Sequence, residues 1–275
     1  MNTEITTRTT ELARRIRAHA LRMVYQASAS HIGGCLSMAD VLAVLYSEIL
    51  RIDPQDPRAT ERDRFILSKG HAAAIVYAVL AEKGFFPTEL LDKYCQDDSP
   101  LGGHLTHHRV PGVEFSTGSL GHGLSLGCGI ALASKRANCA YRAYVMLSDG
   151  ECDEGAIWEA ALFAPHHRLD TLVAIVDYNK IQSFGTVKEV LDLEPFADKW
   201  LAFGWAVRQI DGHDHQQINE TLKEIPFEQD RPSVVIAHTV KGGGVPFMEN
   251  QLAWHYRSPD KALLDVALNH VTNQE

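Results

Sequence analysis

Basic clusters, paired cysteines, apolar runs of membrane-spanning length and internal repeats are all missing from this sequence. With no Lys/Arg block, a pI near 5.8 and a net charge of −9, the chain offers no positive stripe to neutralise the phosphates of a nucleic acid. The five cysteines, Cys35, Cys95, Cys128, Cys139 and Cys152, are odd in number and none stands in C-x-x-C spacing. That argues against a disulfide framework or zinc ribbon and for buried thiols in a reducing compartment. The opening Met1-Asn2-Thr3-Glu4 lacks the basic and apolar regions of a secretion signal, and no stretch stays apolar over the ~20 residues a bilayer needs. The expectation is a cytoplasmic protein that binds neither nucleic acid nor membrane. A dinucleotide site is disfavoured as well, since no G-x-G-x-x-G follows a strand.

What is present is the composition of an ordinary globular chain, 275 residues with 45% hydrophobic and 22% charged, expected to form one domain over 1–275. Apolar residues three or four apart, Leu12, Ile16, Ala20, Met23 and Ala27, predict an amphipathic helix over 10–27. A second periodic run, Met38 to Leu50, follows Ser37, and a third, His71 to Lys83, follows Ser68-Lys69-Gly70, so Ser37 and Ser68 read as caps. These N-terminal helices occupy about 8–50 and beyond. From Tyr144 the pattern changes to short apolar runs, 144–147, 172–176, 205–210 and 234–237, alternating with helical stretches near 154–168, 194–203 and 214–224. Strands alternating with helices predict an α/β fold, a parallel sheet with helices on both faces. Ligands of such sheets sit at the carboxyl ends of the strands, which selects Ser148-Asp149-Gly150, Asp177-Tyr178-Asn179 and His238 to Lys241.

One such end is crowded with acid: Asp149, Glu151, Asp153 and Glu154 fall within six positions. Asp149 and Asn179 are thirty residues apart, room for one helix between adjacent parallel strands, so their side-chain oxygens are expected side by side. Hard oxygens with space for phosphate are what Mg²⁺ or Ca²⁺ takes when it binds a diphosphate. Gly150 allows close backbone approach, and a helix from near Glu154 aims free N–H groups at phosphate. Turn chemistry alone also accommodates Asp149 as a cap and Asn179 in a turn, with Glu151 and Asp153 as solvated first-turn acids.

The wider sequence favours the ligand reading. "SDGECDEGAIWEAALFAPHHRLDTLVAIVDYNKIQ" resembles the thiamine diphosphate signature as it stands in transketolases. "ASASHIGGCLSMADVLAVLYSEIL", "DRFILSKGHAAAIVYAVLAEKG", "PGVEFSTGSLGHGLSLGCGIALA" and "VKGGGVPFMENQLAWHY" resemble further transketolase segments in the family's order. The resemblance covers nearly the whole chain and implies the diphosphate-binding domain of the thiamine diphosphate fold. It implies Asp149 and Asn179 as side-chain ligands of Mg²⁺, for which Ca²⁺ or Mn²⁺ can substitute, and Ile181 as a main-chain carbonyl ligand. Gly150, Gly118 and Leu120 match positions beside the cofactor. His71 and His255 match histidines near the diphosphate and the substrate's hydroxyl end; His31 and His104 match those that bind the ketose hydroxyls and move protons. Lys69, on the substrate side, and Lys241, on the cofactor side, match positions supplying positive charge. Glu154 matches an acidic residue at the family's dimer interface, in contact with the other half of the active site, and Glu159 shares its helix face. The chain departs from the family at Ser148, Tyr178, Ile32, His122 and Leu105-Thr106, mostly where substrate enters.

In transketolases the glutamate that makes the cofactor's amino group basic belongs to a second domain, and nothing here resembles that domain. The resemblance therefore implies the N-terminal subunit of a split transketolase. It is expected to pair with a C-terminal subunit carrying the pyrimidine-binding domain, in an α2β2 heterotetramer, and to move a two-carbon ketol unit from a ketose phosphate to an aldose. The alternatives are other thiamine enzymes, of the deoxyxylulose-phosphate synthase or 2-oxoacid dehydrogenase kind, and a non-catalytic binding subunit. "GLSLG" at 123–127 fits a hydrolase nucleophile elbow at Ser125, but the polar 115–119 is no buried strand. His104, His107 and His108 lack a Cys or carboxylate partner at zinc spacing.

Overall fold

The computed structural model describes residues 2–273, so Met1, Gln274 and Glu275, the ends of the expected domain, lie outside the described residues. Helix α1 (Asn2–Gln26) starts earlier than its apolar stripe, where the Thr7 and Thr9 hydroxyls donate back to carbonyls of the preceding turn. Two short helices follow, α2 (Ile32–Ser37) and α3 (Ala39–Val44), and the expected run to Leu50 finishes in a π turn, Leu45–Ile49. Strand β1 (Arg64–Leu67) and helix α4 (Ala73–Glu82) come next. Neither serine caps the helix that follows it in the chain: Ser37 Oγ donates to Gly34 and Asp177, and Ser68 Oγ bonds Glu151 and accepts from Gly123 N at the start of α5 (Gly123–Arg136). Both hydroxyls are buried and serve more distant partners.

The second half alternates as expected, with α5 (Gly123–Arg136), β2 (Ala143–Ser148), α6 (Gly155–His166), β3 (Leu172–Tyr178), α7 (Val187–Val190) and α8 (Phe196–Phe203). There follow β4 (Ala206–Asp211), α9 (His215–Lys223), β5 (Ser233–His238) and α10 (Lys261–Asn273). Gly204, at φ 98°, ends α8 in the left-handed region that a residue with a Cβ avoids. Among the described residues five strands form one parallel sheet in the order β1-β2-β3-β5-β4. Side chains alternate across it. Tyr144, Met146, Val173, Ile175 and Val235 face a core built with α1, α3, α4, α9 and α10, while Val145, Leu147, Ala174, Val176 and Ile236 face one built with α5, α6 and α8. Both faces are covered, so every central strand reads as a continuous apolar run. No helix among the described residues is long and apolar enough to cross a membrane.

Candidate functional site

The carboxyl ends of β2, β3 and β5 meet the start of α2 and the turn before α4 around a cavity of about 280 Å³. Asp149 leaves β2 with only 2% of its surface exposed. Its Oδ1 accepts from Gly150 N at 2.7 Å and its Oδ2 from Lys180 N at 2.5 Å, which ties the end of β2 to the end of β3. Burial, followed by repulsion from Asp177, pushes its pKa up to about 7 against those two amides. A buried carboxylate held by two amides and by no cation is an acceptor for one.

Asn179 donates its amide nitrogen to Asp177 at 3.1 Å, which fixes the orientation of Oδ1, the acceptor for Ile181 N at 3.2 Å. The Ile181 carbonyl accepts from Lys241 Nζ at 2.8 Å. All three expected metal donors therefore line one cavity. Among the described residues no three His, Cys, Asp or Glu side chains form a metal cage. A cation here would rest on one carboxylate and neutral oxygens, leaving positions for phosphate oxygens, and the donor set fits Mg²⁺ with a diphosphate.

Below these donors lies a feature the motif reading missed. Asp177 is fully buried and paired with Lys69, and it accepts from Ser37 at 2.6 Å and from Thr239. Burial opposes its ionisation, but the Lys69 ammonium and these donors outweigh that and hold its pKa below the ordinary value. Lys69, 1% exposed, also donates to the Gly34 carbonyl at 3.1 Å. Its charge goes to Asp177, and Lys69 itself lines the cavity beside Gly34 and His71. The signal was in the sequence: an aspartate inside the apolar run 172–176 and its continuation.

Four imidazoles form the opposite wall. His31 takes φ 72°, left-handed and strained for a non-glycine residue, at the N-cap of α2, and its amide donates to the His255 carbonyl at 2.9 Å. Its ring centroid stands 5.0 Å from that of His71, 6.1 Å from His104 and 4.9 Å from His255. Burial, with His104 and Lys241 nearby, lowers the His31 pKa to about 4, and burial with Lys241 and His31 lowers that of His255 to about 3. His71 is pushed down the same way by burial and Lys69. His31, His71 and His255 are therefore neutral, each with one donor and one acceptor nitrogen. Lys241 is itself lowered to about 8 by burial, which Asp149 opposes.

Gly118 and Leu120 line the cavity, and a Cβ on Gly118 would stand 3.3 Å from the His104 ring. The 3-10 turn Gly150–Asp153 brings Gly150 and Glu151 to the cavity, whereas the first residues of α6, expected to aim N–H groups at phosphate, are not among its lining. Glu151 also departs from its reading as a solvated acid. It is fully buried, accepting from Ser68, from Gly121 N at 2.8 Å and from Ser148 N at 3.2 Å, so it anchors the 118–123 loop. Asp153 is half-buried and accepts from Gln182 at 2.9 Å. Glu154 and Glu159 are exposed outside the cavity; Glu159 edges a groove with Cys128, Ala160 and Phe163. Ser125 lies within α5, with no strand before it, which removes the nucleophile elbow. His104 turns into the cavity while His107 and His108 are exposed, His107 bonding Ser116 at 2.8 Å.

Comparison with known proteins agrees with this geometry. Residues 8–263 match the family model described as transketolase, thiamine diphosphate binding domain. The chain is 43% identical over 258 residues to one of the subunits of the apulose-4-phosphate transketolase of Phocaeicola vulgatus, covering 94% of this chain and 92% of that one. It is 45% identical over 240 residues to a 6-deoxy-6-sulfo-D-fructose transketolase subunit of a Clostridium species, covering 87% of this chain and 87% of that one. The crystal structure of transketolase from Campylobacter jejuni superposes with a TM-score of 0.89 at 30% identity, over 99% of this chain but 43% of that one.

Proposed function

The chain belongs to the transketolase family, as its thiamine diphosphate binding domain, and on that premise we propose that it is the N-terminal subunit of a Mg²⁺-dependent, two-chain transketolase. It would move a two-carbon ketol unit from a ketose phosphate to an aldose acceptor, within an α2β2 assembly in the cytoplasm, its partner subunit supplying the pyrimidine-binding domain. The observation that carries this reading is the cavity that Asp149, Asn179 and Ile181 line together with His31, His71, His104 and His255. Support for two chains comes from the Phocaeicola and Clostridium relatives, both named as transketolase subunits.

Bound thiamine diphosphate would supply the electron sink for breaking and forming the carbon–carbon bond. The chain's own part is to hold and orient. Asp149, Asn179 and the Ile181 carbonyl would hold the cation, Gly150 and Lys241 the diphosphate end, and Gly118 and Leu120 the adjoining wall. His31, His104 and His255, with the His31 ring 6.1 Å from that of His104 and 4.9 Å from that of His255, would hydrogen-bond the sugar hydroxyls and accept or return a proton at a ring nitrogen, with His71 between them and the phosphates. Glu154 and Glu159, exposed on α6 and its start, would meet a second copy of the assembly beside the site. This is the role their exposure leaves open. The donor is a ketose phosphate or a close relative such as the branched and sulfonated sugars named for the two bacterial subunits.

The test is ketol transfer with thiamine diphosphate and Mg²⁺, from xylulose 5-phosphate, apulose 4-phosphate and 6-deoxy-6-sulfofructose in turn. It is run with this chain alone and with the C-terminal subunit encoded beside it. Transfer only in the pair is expected. Transfer by the chain alone refutes the two-chain reading, and failure to bind the cofactor in either form refutes the site.

A further inference from the structure

A second cavity, of about 490 Å³, opens between α1, the end of β4 and the loop after β5, and its floor is a polar cluster that the chemistry above leaves unused. Asp40, on α3 and 5% exposed, takes the Arg17 guanidinium in two bonds of 2.7 and 2.6 Å. It also faces His215 Nε2 at 3.1 Å and His213 Nδ1 at 2.7 Å. His213 Nε2 in turn accepts the amide N–H of Val240 at 2.9 Å. That nitrogen therefore carries no proton, so the ring is the Nδ1–H tautomer and donates to Asp40. From the same cluster, Arg17 Nε–H donates to the Gly243 carbonyl at 3.1 Å.

These two bonds grip the backbone on either side of Lys241. Its ammonium reaches the other way, to the Ile181 carbonyl at 2.8 Å and His255 Nδ1 at 3.1 Å. The loop is packed as well as bonded: Gly242 N donates to the Gly33 carbonyl at 3.0 Å, and a Cβ on Gly243 would stand 3.0 Å from the His213 ring. A buried ion pair contributes little net stability over an apolar replacement, and its best-attested use is to fix one arrangement among several. Here the arrangement fixed is that of a loop that delivers a cation into the cavity.

Resting on the reading of that cavity as a thiamine diphosphate site, we propose that His213, braced by Asp40 and Arg17, is a positioning residue that fixes the 238–244 loop and so holds Lys241 at the cofactor's phosphate end. Its ring never enters the cavity. The effect passes through the Val240 amide, and what matters is one acceptor and one donor held on opposite sides of the side chain.

The chain is compared as wild type, His213→Ala and His213→Gln, whose amide keeps one acceptor and one donor at similar reach. Three quantities are read in each: thiamine diphosphate affinity with Mg²⁺ (by calorimetry, partner subunit present), hydrogen exchange of the 238–244 peptide in the free chain, and the melting temperature. His213→Ala is expected to lose affinity on the order of tenfold, as outer-shell partners of bound ions do, and to speed exchange of that peptide, with His213→Gln recovering both. A lowered melting temperature with wild-type affinity in His213→Ala would show a merely structural residue and overturn the proposal. If the wild type itself binds no cofactor, the functional reading fails. Exchange of the 238–244 peptide then decides, and an unchanged rate in His213→Ala overturns the positioning role. Should His213→Ala not fold, Arg17→Lys, which keeps a cation on Asp40 but loses the bond to Gly243, must show the same two losses, and wild-type behaviour in it overturns the proposal.

Discussion

Replacing Lys69 by Met removes one ammonium from the buried lining of the site and leaves the rest of the side chain's volume in place. Asp177, 0% exposed at its side chain against 1% for Lys69, is then a buried carboxylate without a cation. It keeps three donors, Ser37 at 2.6 Å, Asn179 at 3.1 Å and Thr239. Breaking a buried pair by deleting one partner costs ~3–5 kcal/mol, and the remaining donors place this case at the lower end, about 3 kcal/mol. That is a large share of the ~5–15 kcal/mol by which domains are stable. The double variant Lys69→Met/Asp177→Asn removes both charges and should recover at least half of the loss. Chemical unfolding of the wild type, the single and the double variant reads both numbers. A single-variant loss under about 1 kcal/mol, or a double variant no more stable than the single, would refute the claim that the pair holds the floor of the site.

Asp149→Asn should abolish the Mg²⁺-dependent part of cofactor binding, a larger loss than the roughly ten- to hundredfold of an outer-shell partner; unaltered affinity by calorimetry would remove Asp149 from the metal. His31→Ala and His104→Ala should each lower turnover roughly a hundredfold while cofactor affinity stays near wild type, and a loss confined to cofactor affinity would contradict their placement. For Asp40, burial opposes ionisation but Arg17 outweighs it, with His213 and His215 adding bonds, so its folded pKa lies well below 3.8. Its contribution is therefore complete above that value and lost as pH falls through the depressed one. The stability gap between wild type and Asp40→Asn should hold at neutral pH and narrow only below pH 3.8; a gap that narrows already near neutrality would count against the assignment. Gly123→Ala would put a Cβ 2.3 Å from Ser68 Oγ and 2.8 Å from Ser68 Cα. It should destabilise by roughly 1–3 kcal/mol or more, and a wild-type unfolding midpoint would refute the close approach.

The legible parts of the fold were those whose burial is uniform. β2, β3 and β5 are nearly continuous apolar runs because both sheet faces are covered, and they, like the edge strand β4 with its exposed Arg208, Gln209 and Asp211, were placed to within two residues. β1 was missed because it is only four residues long and starts on Arg64, beside the buried Asp63 that binds Arg51. α5 was missed for a different reason: Gly123 and Gly127 dilute its helical pattern because Ser68 and Val145 leave no room for a Cβ there. Packing chose glycine where propensity would have chosen alanine. In the site, Asp149 and Asn179 could be found because they stand at strand ends. Glu151 could not, because its partner Ser68 is 83 residues away and its neighbours in the chain are acidic. His213 gave no signal either, since its two partners come from α3 and the loop after β5.

The departures from the family pattern divide by where they fall. Ser148 accepts from Glu151 N at 3.3 Å and stays within the anchor of the loop. The Tyr178 hydroxyl donates to Glu194 at 2.5 Å, and its ring stacks on Phe196 at 5.3 Å, on the far side of β3 from the cavity. Ile32 is the first residue of α2, a position where proline is favoured only because the amide there has no partner inside the helix. A buried isoleucine fills it without losing a bond. None of these three is Asp149, Asn179 or Ile181, the donors proposed for the cation. His122, by contrast, is exposed beside Leu120, whose carbonyl it meets at 3.1 Å, and past His104 Thr106 is half-buried while His107 and His108 lie at the surface. The substitutions that bring new polar groups into the open stand where sugar and partner would arrive, while those beneath the phosphates are absorbed by packing. On the proposed function, the buried floor then constrains cofactor binding and the rim is where substrate choice would differ.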